Sequence, residues 1–329
     1  MKRRDLLALG LASLSAPALK PLRALGQSRY PERPIRLVIP FPPGGVNDAV
    51  GRPWADKMKS LLGTVVVENV GGAGGAVGAH AVARAQPDGY TILLGSGGTQ
   101  VIIPIASSHP PYDPDKAFDP IYVLGVTAGC IAVHPSLPVQ SLTELIAYAK
   151  ANPGKLSYGS AGAGTMNHLA GELFKVLTRT PDIVHVPYRG AGPAIADAVS
   201  GHIPMITPNV TGQVIELGKA GKLRILAVAT PKRVMAVPDI PTAVEAGLPG
   251  MIAQNFIGLF APAGTVKSII EQIAQATRLG LAERDLQQMF LAAAFEPMID
   301  SGPEQARRFV DEEIARWMPV IKAIELKVD

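Results

Sequence analysis

Cysteine is almost missing from this 329-residue chain, which carries one, Cys130. Intramolecular disulfides are therefore excluded, and the fold must stand on its core. Cys130 itself lies in the apolar run Cys130–Val133, where packing is a better account of it than chemistry. Aromatic residues are also sparse, at 5%, and charged residues make up only 18%. No internal stretch reaches the roughly 18 uninterrupted apolar residues of a membrane span. No H-E-x-x-H, G-x-S-x-G or other close pairing of the six histidines is present, so the common zinc and serine-nucleophile signatures are absent. Neither a metal nor a cofactor is expected.

What the chain has in quantity is apolar residues, 47%, with 34 glycines and 30 prolines. That length and apolar fraction support one large or two moderate lobes, each with its own core. Glycine without a fixed period, scattered among apolar segments, indicates many tight turns and not a fibre.

Residues 1–26 read as an export leader. Lys2, Arg3 and Arg4 precede an apolar stretch from Leu6 to Leu19, and Ala24-Leu25-Gly26 offers a small-x-small cleavage site near Gly26. Arg3-Arg4 followed by Asp5-Leu6-Leu7 is twin-arginine-like, although Lys2 and Ala8 depart from that pattern and leave the general secretory route open. The expected location is the periplasm. The leader holds five basic residues and one acidic residue, so its removal leaves 26 of each and a formally neutral protein. The sequence pI near 9.1 belongs to the precursor. A broad cationic surface for nucleic acid is not supported, and any anionic ligand must be held by local dipoles and a few donors.

Beyond the leader, short β-branched runs alternate with helical patterns, the mark of a parallel sheet flanked by helices. Strands are expected at Ile35–Ile39, Val65–Val67, Tyr90–Leu94, Leu156–Tyr158, Ile183–Val186, Leu223–Ala229 and Phe256–Ala261. Helices are expected from about Asp48 to Leu62, Ala79 to Ala85, Ser141 to Ala151, Thr165 to Leu177 and Ser301 to Ile324. Ser141–Glu144 and Thr242–Glu245 have the form of capping boxes, and the segment 107–120, dense in proline and aspartate, should be irregular. Two similar α/β stretches and a long final helix that needs a surface suggest an α/β protein of two lobes. Residues 27–125 and 256–329 form the first and 126–255 the second, with two interlobe crossovers serving as a hinge.

Three glycine-rich turns stand where a strand should end and a helix begin: PFPPGGVND (40–48), GGAGGAVGA (71–79) and GSAGAGTMNHLAGELF (159–174). Chain without bulky side chains lets backbone N–H groups approach a ligand. The first turn of a helix leaves about four N–H groups unpaired and carries roughly half a positive charge, so a carboxylate or phosphate docks there without lysine or arginine. The plain alternative is a tight strand-to-helix turn, and for the second turn the two readings stand even. In the first and third, Asn47, Asp48, Ser160, Thr165, Asn167 and His168 surround the glycines and favour ligand contact, with Asp48 itself better placed as an N-cap. Nucleotide motifs fail: Val77 stands at the third glycine of G-x-G-x-x-G, and Thr165 stands where a phosphate loop has its lysine. His168 and Glu172, one helical turn apart, form at best a weak acid/base or metal pair, and His185, beside Pro187, reads as a core histidine.

Long blocks of the sequence resemble a known family. PIRLVIPFPPGGVND, VVVENVGGAGGAVGAHAVARAQPDGYT, PGKLSYGSAGAGTMNHLAGELF, IVHVPYRGAGPAIADAVSGHI, AGKLRILAVAT and GLFAPAGT, in this order, are similar to the Bug-type solute receptors of tripartite tricarboxylate transporters. The resemblance spans the chain after the leader. It implies a type II periplasmic-binding-protein fold that closes like a flytrap, with membrane transporter subunits as partners and a monomeric state. It also implies capture of a small organic acid by the first and third loops, one from each lobe, with ordered water between loop and ligand. The matching positions are Phe41, Pro43, Gly44, Gly45, Asn47 and Asp48, with Ser160, Ala161, Gly162, Gly164, Thr165 and His168. Gln100 and Asn209 are expected to touch the distal end of the ligand. Departures fall at Val46-Asn47, Val70-Gly71, Pro208-Asn209 and Phe256, where the family more often has a small residue with Ser or Thr, Arg-Pro, Asp-Asn and Trp. The receptor expectation excludes catalysis; an exported enzyme acting on a carboxylate, or a receptor for a signalling partner, is the alternative.

Overall fold

The computed structural model describes residues 30–328. The expected leader and its cleavage site lie outside the described residues. The chain forms two sheets. The first is six-stranded, in the order β11 (Phe295–Pro297), β4 (Phe118–Ala128), β10 (Gln254–Pro262), β3 (Thr91–Ser96), β1 (Ile35–Ile39), β2 (Val65–Asn69). The second is five-stranded, in the order β7 (Val184–Pro187), β6 (Ser157–Ser160), β8 (Met205–Ile206), β5 (Cys130–Val133), β9 (Arg224–Val228).

β1 (Ile35–Ile39), β2 (Val65–Asn69) and β3 (Thr91–Ser96) run parallel, linked by α1 (Val46–Leu61) and α2 (Ala76–Ala83). β1 is apolar at nearly every position because helices cover both faces of its sheet. A five-residue π-turn, Gly98–Ile102, continues as α3 (Ile103–Ala106), and a short α4 (Pro114–Ala117) leads into β4 (Phe118–Ala128). The chain then leaves for the second sheet: β5 (Cys130–Val133), α5 (Leu142–Ala151), β6 (Ser157–Ser160), α6 (Met166–Thr178), β7 (Val184–Pro187), α7 (Ala191–Val199), β8 (Met205–Ile206), α8 (Gly212–Lys219) and β9 (Arg224–Val228). β10 (Gln254–Pro262) returns to the first sheet and inserts between β3 and β4, antiparallel to both. α9 (Lys267–Ala282), α10 (Arg284–Ala292), β11 (Phe295–Pro297) and α11 (Pro303–Ala323) complete it.

Both sheets are mixed, not wholly parallel as expected, because the strands that carry the chain between them, β4, β5 and β10, pair antiparallel. The two passages lie side by side. The Gly129 N–H donates to Ala253 O at 2.9 Å, the Ala253 N–H to Ala229 O at 2.8 Å, and the Ala229 N–H to Gly129 O at 2.8 Å. Residues 126–128 and 254–255, expected in the second lobe, are strand residues of the first sheet, since strand pairing continues to the crossing itself.

Apolar stripes fix the long helices onto the two sheets. Val46, Val50, Trp54 and Met58 form one buried stripe of α1, and the Trp54 indole N–H donates to Thr277 Oγ1 at 3.2 Å. Burial of each such side chain contributes about 1.5–3 kcal/mol. α6 buries Leu169, Leu173 and Phe174 on the second sheet. α11, opened by Pro303, lays Ala306, Val310, Trp317 and Ile321 toward β4 and the π-turn.

The Ser141–Glu144 box caps α5 as expected, with the Glu144 N–H donating to Ser141 Oγ at 3.1 Å. The Thr242–Glu245 box makes both of its bonds, at 2.8 and 3.0 Å, yet opens only a turn. No run of apolar positions follows it to bury a helix face, and a cap alone does not sustain a helix. No helix among the described residues is long and apolar enough to cross a membrane.

Candidate functional site

Where the two lobes meet, α1 and α6 point their N-termini at one cavity of about 40 Å³. Its lining includes the N-cap and first two residues of both helices: Gly45, Val46 and Asn47 of α1, Thr165, Met166 and Asn167 of α6. The N–H groups of Val46, Asn47, Met166 and Asn167 have no acceptor among the described residues, as expected of the first positions of a helix. Both helix dipoles thus face the same space. Phe41, Pro42, Ser96, Ala161, Ala191, Asn209 and Asn255 complete the wall.

Among the described residues, no charged side chain lines this cavity. Its side-chain polarity comes chiefly from amides, all of them at least nine-tenths buried. Asn255 Oδ1 accepts from the Gly97 N–H at 3.2 Å, and Asn209 Oδ1 from the Asn167 amide at 3.5 Å. The amide N–H groups of Asn255 and Asn209 have no acceptor among the described residues and remain available as donors.

The second-lobe loop is held from behind. Thr165 Oγ1 caps α6, accepting from the His168 N–H at 3.3 Å while donating to Gly162 O at 2.6 Å. Ser160 Oγ accepts from the Gly162 N–H at 3.1 Å and pairs with His185 Nε2 at 2.7 Å. The Gly164 N–H donates to His168 Nδ1 at 3.3 Å. The two imidazoles stack, with centroids 4.0 Å apart, and Tyr158 also stacks on His185 at 4.8 Å. Burial, with Lys175 nearby, lowers His168 to about 4. Burial and the neighbouring His168 lower His185 to about 3. Both rings are therefore neutral at ordinary pH.

The first-lobe loop has no side-chain cap. Its N-cap is Gly45, not Asp48 as expected, because Asp48 lies three residues further on, inside the first turn. Asp48 reaches back to the Gly44 N–H at 3.4 Å and accepts from Arg52 Nε at 2.9 Å and the Asn69 amide at 3.2 Å. Burial pushes the Asp48 carboxyl up, but the bonds from Arg52, Asn69 and Gly44 outweigh it and leave the group below the usual carboxylate range. Arg52 thereby neutralises the acid in the first turn of this helix.

Of the residues expected at a ligand, Phe41, Gly45, Asn47, Ala161, Thr165 and Asn209 come together around the cavity. The rest stand outside its wall. Pro43 and Gly44 are exposed at the rim. Gln100 is buried in the π-turn, its amide on Thr99 Oγ1 at 3.4 Å. Ser160, Gly162 and His168 form the back of the loop, and Gly164 faces Ile103 of the first lobe. Glu172, one helical turn from His168, instead accepts from Tyr158 at 2.7 Å and pairs with Lys175 at 2.8 Å. No acid/base pair of His168 and Glu172 forms. Cys130 is buried, and burial pushes its thiol up to about 12. No group of three potential metal ligands occurs among the described residues.

Ser96 and Asn255 escape the reading of the three turns. Ser96 is the last residue of β3, inside a fourth glycine-rich stretch, Gly95–Gly98, so its signal was present. Asn255, near the start of β10, reaches the cavity through tertiary pairing alone.

Comparison with known proteins matches residues 50–326 to the tripartite tricarboxylate transporter family receptor. The structure of periplasmic binding protein BugD has 33% sequence identity and a TM-score of 0.86, over 91% of this chain and 99% of that one. Rpa4515 of R. palustris, solved with adipate, has 32% identity and a TM-score of 0.85 over 91% and 99%. MatC of Rhodopseudomonas palustris, with bound malate, has 31% identity and a TM-score of 0.85 over 89% and 100%. These matches and the two-lobe architecture agree, and the chain belongs to the tripartite tricarboxylate transporter receptor family.

Proposed function

We propose that this protein is a periplasmic receptor that captures a small carboxylate-bearing ligand between its lobes and presents it to membrane subunits of a tripartite tricarboxylate-type transporter, turning over nothing. The observation that carries this reading is the convergence of two helix N-termini on one cavity without a charged side chain. Four backbone N–H groups and the asparagine amides supply donors, the dipoles supply the field, and neither requires a cation. Relatives solved with malate and adipate support the ligand class.

Among the described residues the lobes take 30–128 with 254–328, and 129–253, turning about Gly129 and Ala253. A cavity of about 40 Å³ is far below the ~300–1,000 Å³ of ordinary small-molecule sites. The ligand therefore enters with the lobes apart and favours their approach. On this reading Phe41, Gly45, Asn47, Ala161, Thr165 and Asn209 touch the ligand or its bridging water, with Ser96, Asn167 and Asn255. Pro43, Gly44, Asp48, Gln100, Ser160, Gly162, Gly164 and His168 shape the loops that do so. The leader is cleaved near Gly26 and the receptor works as a monomer.

Calorimetry with malate, adipate and a panel of mono- and dicarboxylates tests the reading. A bound acid at a hundred times its dissociation constant stabilises the fold by ~2.7 kcal/mol. A panel without a binder, or consumption of a bound acid, overturns it.

A further inference from the structure

The GGAGG turn between β2 and α2 takes no part in the ligand cavity, yet its backbone is unusual. Gly72, Ala73, Gly74 and Gly75 all have positive φ, at 142°, 45°, 64° and 104°. Ala73 is one of only a few non-glycine residues so placed among the described residues, and such strain persists only where the surroundings demand it.

What lies against this turn is the ligand loop of the other lobe. A Cβ on Gly74 would overlap the Ala163 carbonyl oxygen and lie 3.1 Å from its carbon. A Cβ on Gly162 would meet Gly74 Cα at 3.5 Å. A second contact of the same kind adjoins it: a Cβ on Gly98 would stand 3.0 Å from Gly164 O, and one on Gly164 would stand 2.6 Å from Ile103 Cγ1. The first lobe thus receives the backbone of residues 162–164 on the bare backbone of Gly74 and Gly98 and on the Ile103 side chain, directly behind the loop that lines the cavity.

We infer that the GGAGG turn is the closure catch of the receptor: Gly74 has no side chain so that the Ala163 carbonyl can seat against it when the lobes come together. The inference rests on the proposed opening and closing about a ligand. Its ligand is the second lobe's own loop, and the energy of that contact adds to the closed state whatever solute is captured.

Ala73 and Ala163 line one outer cavity of about 410 Å³, with Val77, His80 and Ile103. A protein carrying Ala73→Cys and Ala163→Cys should be joined by a short bismaleimide whenever the lobes meet, with or without solute. Buried Cys130 does not compete. Adding Gly74→Ala should slow this crosslinking by about tenfold or more, because closure must stop short. Gly221→Ala is the control: Gly221 has φ +65°, matching the +64° of Gly74, with open space around it, so it carries the same backbone strain and no obstruction. It should leave the rate unchanged. Gly74→Asn, which tolerates left-handed backbone better, should slow crosslinking as alanine does and serves if the alanine variant folds poorly. Equal rates for the Gly74 variants and the control overturn the inference, as does a double-cysteine parent that never crosslinks. A parent that crosslinks but binds no carboxylate leaves the catch standing and removes the proposed ligand.

Discussion

The two loops that bring helix N-termini to the cavity do the same work on different supports. The loop before α6 is tied from behind by buried groups: Thr165 caps its helix, Ser160 folds it over, and the stacked His168 and His185 hold Gly164 and Ser160. The loop before α1 is capped by a glycine and steadied at its rim by an acid that Arg52 neutralises and to which the Asn69 amide donates. Buried neutral hydrogen bonds fix position and resist salt, whereas an exposed ion pair is screened and contributes little. The second lobe therefore offers a preorganised half-site, and the first lobe an adaptable one.

The largest effect should come from filling the adaptable side. Gly45 has φ −88° and ψ 176°, which any residue adopts, and a Cβ there has nothing within 4 Å. Gly45→Val should lower affinity for the cognate carboxylate at least ~100-fold, about 2.7 kcal/mol, with the melting temperature nearly unchanged. Unaltered affinity by calorimetry would remove α1 from the site. Next comes the preorganised side: Thr165→Val loses the cap, costing ~1 kcal/mol of stability in chemical denaturation and about a tenfold loss of affinity as the loop slackens. Thr165→Ser should restore both.

The two supports should also separate by pH. The histidines are held neutral in the fold, below their ordinary 6.5, so the unfolded chain takes up their protons first as pH falls. Stability should decline from about pH 6.5 until the folded values near 4 and 3 are passed. Asp48 has the same sense in a lower window: its stabilisation is present above the ordinary carboxylate range and is lost as pH falls through that range to its lowered value. Thermal melts of a His185→Gln variant should show a flatter slope between pH 6.5 and 4; an unchanged slope would mean the stacked pair titrates normally. The smallest effect belongs to the exposed pair. Arg52→Ala should cost about 0.5 kcal/mol or less, shrinking further in high salt, and a change of more than threefold in affinity would contradict an adaptable rim.

Much of the architecture was legible because period and turn chemistry agree locally. β1, α1 and α11 fall within a few residues of their expected bounds, since their apolar stripes are long and their ends carry glycine or proline. The antiparallel place of β10 was not legible, because strand neighbours are chosen by the return of the chain from the other lobe and not by the strand's own residues. The same limit explains the site. Glycine-rich turns pointed to the correct helix ends, but residues within one turn were not sorted into those that face the cavity and those that support it. Asn47 and Asp48 are adjacent and equally polar, and only the helical phase sends one to the wall and the other to Arg52. Asn255 depends on a pairing 158 residues away, with Gly97, and left no local mark.

The position of β10 has a consequence for how the chain is made. This strand fills the middle of the first sheet, between β3 and β4, but it follows the whole of the second lobe in synthesis. Until it arrives, β3 and β4 each present an unpaired edge, while the second sheet already holds all of its strands. The second lobe should therefore condense first, from contacts local to its own segment, and the first lobe should finish slowly, limited by long-range pairing. Refolding followed at Trp54 and Trp317, both in helices of the first lobe, should lag behind refolding followed by exchange protection of β6 and β8.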